Sequence, residues 1–388
     1  MDGPLTKRRD LYRRTLLENI VPFWMEHAID HEYGGYHFSL GRHGELVDSD
    51  KSVWIHGRFI WLLSTLYHEV EPRPEWLEMA RHGVDFLLKH CVAPNHKLYF
   101  LVARDGTPLR MRRYYYSECF AAMGLAAFVR ASGEKQYARH AIAFFENLAA
   151  SVMGALSVET KVMNREAKGL APRMVVICAG QILRDTIGYD GAQVHVDRAI
   201  GDILSAFYKP ELEVLMESVG PHGEIHDTFE GRLLNPGHAI EAAWFILIEA
   251  VRQGADDHLQ KALNIIRWMW NRGWDREHGG LVYFRDVYDK PVQEYWHDMK
   301  FWWPHNEAEI ATLMAWRITG NDEFRRYYDA VHDYEFALLP DPDGPEWFGY
   351  FHRDGSRSSD LKGNHWKGPF HIPRMLLYGM KLLETVQK

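Results

Sequence analysis

The stretch RLLNPGHAIEAAWF, residues 232–245, contains a helix start that recurs along the chain. Its Pro236 stands just before an apolar run with helical spacing. Proline has no N–H to donate and its φ angle is already helical, so it fits the first turn of a helix. Three other long loops end in the same way, at Pro172, Pro304 and Pro369, and the four prolines are spaced 64, 68 and 65 residues apart. The spacing predicts a structural unit of about 65 residues that repeats along the chain.

Five segments share one pattern, in which an aromatic-rich stretch and a His-Gly or Asp-Gly turn lead into a long helical run. Their landmarks fall near residues 35, 97, 216, 280 and 348, and the second gap is nearly twice the others. We therefore expect a degenerate copy near residue 157, which makes six repeats. Alternating aromatic and polar residues around the turn predict a β-hairpin in each repeat.

Apolar residues at helical spacing predict two helices in each repeat. With the two terminal helices there are twelve, predicted at 9–29, 54–70, 75–91, 115–132, 135–150, 170–187, 191–209, 238–254, 257–271, 304–319, 322–337 and 368–386. Short turns join the members of a pair, and the long connections fall at the opposite end. This arrangement predicts an all-α fold, the (α/α)6 barrel. No linker-like tract interrupts the period, so residues 1–388 are expected to form one domain.

The composition is that of a soluble globular protein with many aromatic rings. Of 388 residues, 46% are hydrophobic and 25% are charged, and there are 14 Trp, 19 Tyr and 19 Phe. A formal net charge of −8 offers no basic surface for a polyanion, so nucleic acid is a poor partner. A small, neutral or weakly charged molecule fits better.

The cysteines and the N-terminal sequence indicate the compartment. Cys91, Cys119 and Cys178 are odd in number and far apart, which argues against a disulfide framework and favours a reducing environment. The N-terminus is charged with no apolar core behind it, and the longest apolar run is too short to span a bilayer. We expect a cytoplasmic protein with no membrane partner.

Three of the proline-marked helix starts carry a histidine just beyond the proline: His238, His305 and His371. In a six-fold barrel these starts converge at one end of the central cavity, so several imidazoles are expected in one aromatic-lined funnel. One such histidine alone is more simply a partly buried hydrogen-bonding residue, but three at equivalent positions favour function. The many rings at this face favour a sugar ligand, because the C–H face of a pyranose packs on aromatic planes.

Catalytic motifs for metal, nucleotide or acyl-transfer chemistry are absent from the sequence. Two opposed imidazoles can instead remove a proton from a carbon beside a carbonyl and return one, either to the opposite face or to the neighbouring carbon. The first outcome is epimerisation and the second is aldose–ketose isomerisation. The helix dipole disfavours the imidazolium of His238, whereas the carboxylate of Glu241 favours it, and the sequence leaves this choice open.

Six segments carry a family resemblance: GGY, DKSVWIHGRFIW, YSECFAAM, FEGRLLNPGHAIEAAWF, WWPHNEAE and WKGPFHIPR. Together they resemble the N-acylglucosamine 2-epimerase family, and the likeness spans nearly the whole chain. The resemblance implies an (α/α)6 barrel, commonly a homodimer, that acts on an open-chain reducing sugar without a metal or a required cofactor. It also suggests N-acetyl-D-glucosamine and N-acetyl-D-mannosamine as the interconverted pair.

Individual residue roles follow from the same resemblance. His238 and His371 are expected as the two acid/base groups on opposite sides of C2, and Arg58 as the cation that stabilises the enediolate oxygen. The resemblance adds Glu217, Glu241, His305 and Glu307 as further substrate-site residues. We add four further residues because they lie near the predicted loop face: Trp54, Glu118, Trp302 and Trp366.

The family divides by substrate. Cellobiose 2-epimerases and mannose isomerases of this fold carry a further histidine on the third inner helix, where this chain has Arg173 and Met174. This difference favours the N-acyl sugar branch. Some N-acylglucosamine epimerases bind ATP as an activator, and the segment VETKVMNREAKG offers Lys161, Arg165 and Lys168 as phosphate contacts. A solvated loop is the simpler interpretation of those charges.

Two other classes of function remain open. Inverting glycoside hydrolases also use (α/α)6 barrels and need two carboxyl groups roughly 6.5–9.5 Å apart. Glu118, Glu217, Glu230 and Glu307 are candidates for that pair. A non-catalytic sugar binder can keep the same cavity, since fold does not determine function.

Overall fold

Twelve helices form two concentric rings in the computed structural model, which describes residues 3–111, 115–154 and 165–384. The inner helices are Val53–Glu69, Tyr116–Ser132, Leu170–Ile187, Pro236–Gln253, Trp302–Thr319 and His371–Glu384. The outer ring consists of Pro4–Arg14, continued by a π-helical turn at Thr15–Ile20 into Val21–His27, and of Pro74–His90, Ala138–Val152, Ala192–Asp202, Asp256–Gly273 and Asp322–Leu338. The predicted (α/α)6 barrel is confirmed.

Burial separates the two rings. Inner helices are buried around most of their circumference, as expected of helices enclosed on all sides. The outer helix Asp256–Gly273 instead buries one stripe, including Leu263, Ile266 and Trp270, and exposes Asp257 on the opposite face. Inner helices also share a stop signal: four of them end at a left-handed glycine, at Gly133, Gly188, Gly254 and Gly320.

Helix boundaries differ from the predicted ones mainly near prolines. The N-terminal helix begins at Pro4, five residues before the predicted start. Pro236 is the first residue of its helix, and Pro172 and Pro304 are the third residues of theirs. Pro369 lies outside its helix, because that helix begins at His371. The seventh helix was predicted to end at residue 209. Its α-helical part ends at Asp202, and the π-helical turn Ile203–Phe207 follows.

Strand pairing in the long loops largely connects neighbouring repeats, which corrects the expectation of one self-contained hairpin in each. Hairpins do form at Ser39–Leu40 with Leu46–Asp48, at Leu101–Val102 with Pro108–Arg110, and at Tyr208–Lys209 with Val214–Leu215. Four further pairs join successive loops: Lys51–Ser52 with Leu101–Val102, Lys168–Gly169 with Ser218–Val219, Leu233–Leu234 with Arg285–Asp286, and Lys300–Phe301 with Tyr350–Phe351. The pairing ties the loops into one continuous face.

Tight turns mark the repeats as predicted. Gly44, Gly106, Gly223 and Gly355, which follow His or Asp in the quoted pattern, have φ angles between 85° and 91°. Glycine is the residue that adopts this left-handed geometry without strain. The degenerate copy expected near residue 157 falls partly at 155–164, outside the described residues.

Three buried lysine–aspartate pairs support the loop face, and the sequence pattern does not reveal them. Each aspartate follows the end of an outer helix, and each lysine belongs to a loop that leads into an inner helix. A third side chain, an arginine, also pairs with each aspartate. The sets are Lys51, Asp30 and Arg104; Lys300, Asp275 and Arg353; and Lys362, Asp341 and Arg42, with lysine–aspartate distances of 2.8, 3.1 and 2.9 Å.

Within the described residues, no helix is both long enough and apolar enough to cross a bilayer. Cys91, Cys119 and Cys178 are all buried and free.

Candidate active site

A cavity of about 1570 Å³ lies at the loop end of the barrel. Predicted site residues on its wall are His238, His371, Arg58, Trp54, Glu217, Glu241, Trp302 and Trp366. Most of them lie near the starts of inner helices, so the ring brings together side chains that are far apart in sequence.

His238 is held by hydrogen bonds at its backbone and at its ring. Its backbone N–H donates to Oδ1 of Asn235, the helix cap, over 3.1 Å. Its Nδ1 lies 2.9 and 3.1 Å from the two carboxylate oxygens of Glu217. An ionised carboxylate only accepts hydrogen bonds, so Nδ1 carries a hydrogen and Nε2 remains to exchange a proton with a ligand.

His371 has the same arrangement with a different partner. It begins the last inner helix, and its Nδ1 lies 2.7 Å from Oε1 of Glu307, which is fully buried. The carboxylate again accepts from Nδ1–H, and Nε2 is left without a hydrogen-bond partner among the described residues. Two imidazoles of the same tautomer therefore line one cavity.

The surroundings shift the pKa values of the two imidazoles in opposite directions. Burial, reinforced by the positive charges of Arg58 and Arg374, lowers the pKa of His371 well below its usual value. Burial alone would also lower the pKa of His238, but the carboxylates of Glu217, Glu241 and Glu307 together outweigh it and raise that pKa. The lowered pKa favours a neutral His371, which can act as a base, and the raised pKa favours protonation of His238, which can then act as an acid.

Trp303 lies between the two histidines. Its ring centroid is 4.9 Å from that of His238 and 5.8 Å from that of His371, so both imidazoles contact one indole. Trp302, its neighbour in sequence, was the predicted site residue and lies slightly farther from His371, at 6.2 Å. Side-chain direction along a helix start distinguishes the two tryptophans, and the sequence pattern alone does not.

Arg58 is a buried cation on the same wall. Its guanidinium carbon lies 4.6, 4.0 and 4.6 Å from the ring centroids of Trp54, Phe120 and Phe370. Burial lowers the pKa of Arg58 to about 10, which leaves it charged at neutral pH. Its Nε–H has no hydrogen-bond partner among the described residues. A fixed cation that lines the cavity is suited to an oxygen that becomes negative during reaction.

Arg374 connects a carboxylate on the cavity wall, Glu241, with one behind it, Glu307. It was not predicted, although it belongs to the quoted segment WKGPFHIPR. Its Nη2 lies 2.6 Å from Oε1 of Glu307 and also forms a hydrogen bond to Glu241. Glu241, Glu307 and His371 offer possible metal-ligand atoms within 4.8 Å of one another. The guanidinium of Arg374 already supplies the positive charge that these carboxylates require, so the residues fit an ion-paired support better than a metal site.

Known proteins resemble this chain in sequence and in fold. A family model described as N-acylglucosamine 2-epimerase (GlcNAc 2-epimerase) matches residues 34–372. The chain belongs to the N-acylglucosamine 2-epimerase family. The predicted resemblance and the predicted enzyme class, a sugar-epimerising isomerase, are confirmed.

Relatives and solved structures match over most of their length. The N-acylglucosamine 2-epimerase of Bos taurus is 34% identical over 386 residues, covering 95% of this chain and 90% of the relative. That of Rattus norvegicus is 33% identical and covers 93% and 88%. A structure of cellobiose 2-epimerase from Bacillus thermoamylovorans B4167 has a TM-score of 0.85 at 20% identity, covering 97% of this chain and 99% of that one, which shows a common fold.

Three predicted site residues of this N-acylglucosamine 2-epimerase family member lie off the cavity wall: Glu307, which is buried and bonds His371, and two others. His305 is fully buried: its Nε2 accepts the N–H of Leu281 over 2.8 Å, and its Nδ1 donates to the carbonyl of Phe301 over 2.6 Å. Glu118 is also buried and accepts the N–H of Leu98 over 3.2 Å. These placements correct the expectation that these residues face the substrate.

A helical rotation explains the position of His305. His305 is the fourth residue of its helix, whereas His238 is the third residue of its own. One residue corresponds to about 100° around a helix, so the imidazole of His305 points toward the loop backbone. Burial lowers the pKa of His305 to about 3, which keeps the ring neutral.

The third inner helix contributes an apolar part of the cavity wall. Met174 and Val175 line the cavity where other branches of the fold are expected to place a histidine. Arg173 instead turns outward, where it pairs with Asp202 and donates to the carbonyl of Gly169 over 2.9 Å.

Two of the three expected phosphate contacts fall within the described residues. Arg165 lines the cavity, but Nζ of Lys168 lies 3.5 Å from Asp202, and Lys161 lies outside the described residues.

The carboxylates proposed for an inverting hydrolase are engaged or remote. Glu217 and Glu307 each bond a histidine, and Glu118 accepts a backbone N–H. Glu230 is exposed on the short helical turn Glu230–Arg232, away from the cavity wall. Among the described residues, these four therefore offer no free acid and base pair of the kind that inverting hydrolysis requires.

Proposed function

We propose that the protein interconverts N-acetyl-D-glucosamine and N-acetyl-D-mannosamine by moving a proton at C2 of the open-chain sugar. The observation that carries this proposal is the pair of imidazoles, each with Nδ1 held by a carboxylate, that line one cavity and contact one indole. The names of the curated relatives support the choice of substrate.

Proton transfer begins at His371, whose lowered pKa makes it the stronger candidate for the initial base. Its Nε2 removes the C2 proton, the electrons of the C–H bond form a C1–C2 double bond, and the carbonyl electrons move to O1. Arg58 stabilises the negative charge on O1 of the resulting enolate. The imidazolium of His238 then returns a proton to C2 from the opposite face, and the configuration at C2 is inverted.

The same groups serve the reverse reaction with exchanged roles. After one turnover His371 is protonated and His238 is neutral, which is the state that the other epimer requires. Both states contain the same number of protons, so re-equilibration through solvent prepares the enzyme for either sugar. Hydrogen bonds to Glu217 and Glu307 hold both rings in one tautomer throughout.

The cavity wall supports the N-acyl branch. Met174 and Val175 are apolar and suit the methyl of an acyl group, whereas a histidine there would suit a hydroxyl. Cellobiose 2-epimerase and mannose-type aldose–ketose isomerase activities are the alternatives, since both use the same two-base chemistry.

We also propose that the enzyme is a cytoplasmic homodimer built from one catalytic domain, with no nucleic-acid or membrane partner and no required cofactor, ATP acting at most as an activator. The reduced cysteines support the compartment, and the net charge of −8 argues against nucleic acid. Exchange chemistry between imidazoles needs no metal or redox group, which supports the absence of a required cofactor.

Proton NMR in heavy water tests this function. Each of N-acetyl-D-glucosamine, N-acetyl-D-mannosamine, D-glucose, D-mannose and cellobiose is incubated with enzyme, and the C2–H signal and products are followed. We expect deuterium at C2 and the 2-epimer for the N-acetylhexosamines. A ketose product would indicate an aldose–ketose isomerase. If cellobiose were the only sugar epimerised, the protein would be a cellobiose 2-epimerase. Binding or hydrolysis without C2 exchange would overturn the proposal.

A further inference from the structure

Trp244 contacts the carboxylate that holds a proposed catalytic histidine, and it does so from the opposite end of the barrel. It lies six residues after His238 on the inner helix Pro236–Gln253 and is almost fully buried. Its ring forms part of a second, smaller cavity of about 170 Å³ at the closed end. Its Nε1–H donates to Oε2 of Glu307 over 2.9 Å.

Glu307 divides its two oxygens between different tasks. Oε1 accepts from Nδ1 of His371 over 2.7 Å and from Arg374 over 2.6 Å. Oε2 accepts from Trp244. Without the indole donor, Oε2 would lose that partner, and the carboxylate would be held from one side. A carboxylate free to rotate holds neither the position nor the tautomer of the imidazole.

We propose that Trp244 is a positioning residue that fixes the carboxylate of Glu307 and, through it, the imidazole of His371. This inference rests on the proposed function, because its kinetic consequence requires His371 to act as the base. The indole has a second effect as well: by donating to Glu307 it disperses the negative charge that would otherwise stabilise the imidazolium.

Other charged groups around His371 remain in place when Trp244 is changed. They come from every element packed on it: Arg58 on Val53–Glu69, His238 and Glu241 on Pro236–Gln253, Glu307 on Trp302–Thr319, and Arg374 on its own helix. Arg374 also packs on the ring of Trp244, with its guanidinium carbon 5.2 Å from a ring centroid, so the substitution must keep an aromatic ring there. With that ring kept, a change in the pKa of His371 can be assigned to the lost indole donor on Glu307.

Trp244→Phe removes the N–H and keeps an aromatic ring. We expect kcat to fall about tenfold with KM within about twofold of the wild-type value, as for an interaction used after binding. The pKa of His371, followed by NMR of the imidazole in the sugar-free protein, should rise by about one unit, the scale of one hydrogen bond to a charged group. The acid limb of the pH–kcat profile should move to higher pH by the same amount.

Trp24→Phe is the matched control. Trp24 is equally buried, and its Nε1–H donates to the buried carboxylate of Glu346 over 2.6 Å. This substitution removes the same kind of bond at a place where the acceptor does not contact His238 or His371. We expect lower stability and no change in the pKa of His371.

Trp244→Ala gives a second measurement that separates the N–H from the bulk of the ring. Added indole can enter the enlarged cavity and supply both, whereas benzofuran has the same shape without the N–H. We expect indole to restore kcat and benzofuran to leave it low. Equal rescue by the two compounds would show that the residue acts by filling space and would overturn the proposal.

The NMR measurement keeps this inference distinct from the proposed function. An unchanged His371 pKa in Trp244→Phe overturns the role of Trp244, whatever the enzyme acts on. Suppose that Trp244→Phe raises the pKa of His371 but the wild-type protein exchanges no sugar proton. The positioning role of Trp244 would then stand, and the proposed function would be overturned.

Discussion

Four histidines near the starts of inner helices fall into two pairs that differ in what their rings bond. His56 and His305 accept a backbone N–H of the loop face at Nε2, from Tyr36 and Leu281, over 2.9 and 2.8 Å. Their Nδ1 atoms lie 3.1 and 2.6 Å from the carbonyls of Ser52 and Phe301. His238 and His371 use Nδ1 on a carboxylate and keep Nε2 for the cavity.

The difference shows how one repeat position supplies both structure and chemistry. A ring with both nitrogens bonded to the backbone is neutral and saturated, and burial lowers the pKa of His56 and of His305 to about 3. A ring bonded at one nitrogen by a carboxylate has a second nitrogen that can exchange protons. The partner therefore decides the role more than the location in the helix.

Removal of either cavity histidine is expected to have the largest effect on activity. We expect His238→Ala and His371→Ala each to lower net epimerisation by about a thousandfold or more, the scale of a lost acid or base. Each variant should still exchange the C2 proton of one epimer, because one base remains. Proton NMR in heavy water with each epimer separately measures this. Near-normal turnover in either variant would refute the pairing.

Removing a backbone-bonded histidine should have the opposite signature. His305→Ala leaves the N–H of Leu281 and the carbonyl of Phe301 without their partner in a buried site. We expect the free energy of unfolding to fall by about 2–4 kcal/mol, with kcat of the folded protein within about threefold of wild type. Urea unfolding and steady-state kinetics check both quantities.

His238→Ala is the matched substitution. The ring that it removes is one-fifth exposed, and the backbone N–H of residue 238 keeps its hydrogen bond to Asn235. Its free energy of unfolding should change by less than about 1 kcal/mol. Loss of activity in His305→Ala without loss of stability would assign that residue to the chemistry and remove the distinction between the pairs.

The smallest expected effect sharpens the difference between the two cavity histidines. Glu217→Gln removes the negative charge that raises the pKa of His238, so that pKa should fall. Since His238 must be protonated to act as the acid, the alkaline limb of the pH–rate profile should move about one unit lower. The acid limb, which reports His371, should stay in place, and movement of that limb instead would contradict the assignment.

Much of the fold follows from periodic features of the sequence. The proline spacing, the helical runs and the His-Gly or Asp-Gly turns predict six repeats and twelve helices, and the structure agrees. Strand pairing between successive loops was not predicted, because two-residue strands carry no period of their own. The buried pair of Lys51 and Asp30 was also missed, since its members lie 21 residues apart in sequence and meet only when two loops pack together.

Within the site, His238, His371 and Arg58 reach the cavity wall, whereas His305, Glu118 and Glu307 do not. Direction around a helix separates these outcomes, and it depends on where the helix begins. Pro304 stands at the third position of its helix and Pro236 at the first, a difference that sequence spacing does not reveal.

The sequence by itself determined the repeat, the number of helices, the family and the residue types that converge at one end of the barrel. Tertiary structure decided which imidazoles have a free nitrogen and which carboxylates hold them. His371 pairs with Glu307 across 64 positions, and Arg374 with Glu241 across 133. Local propensities act over a few residues, so contacts between distant helices exist only after the ring has closed.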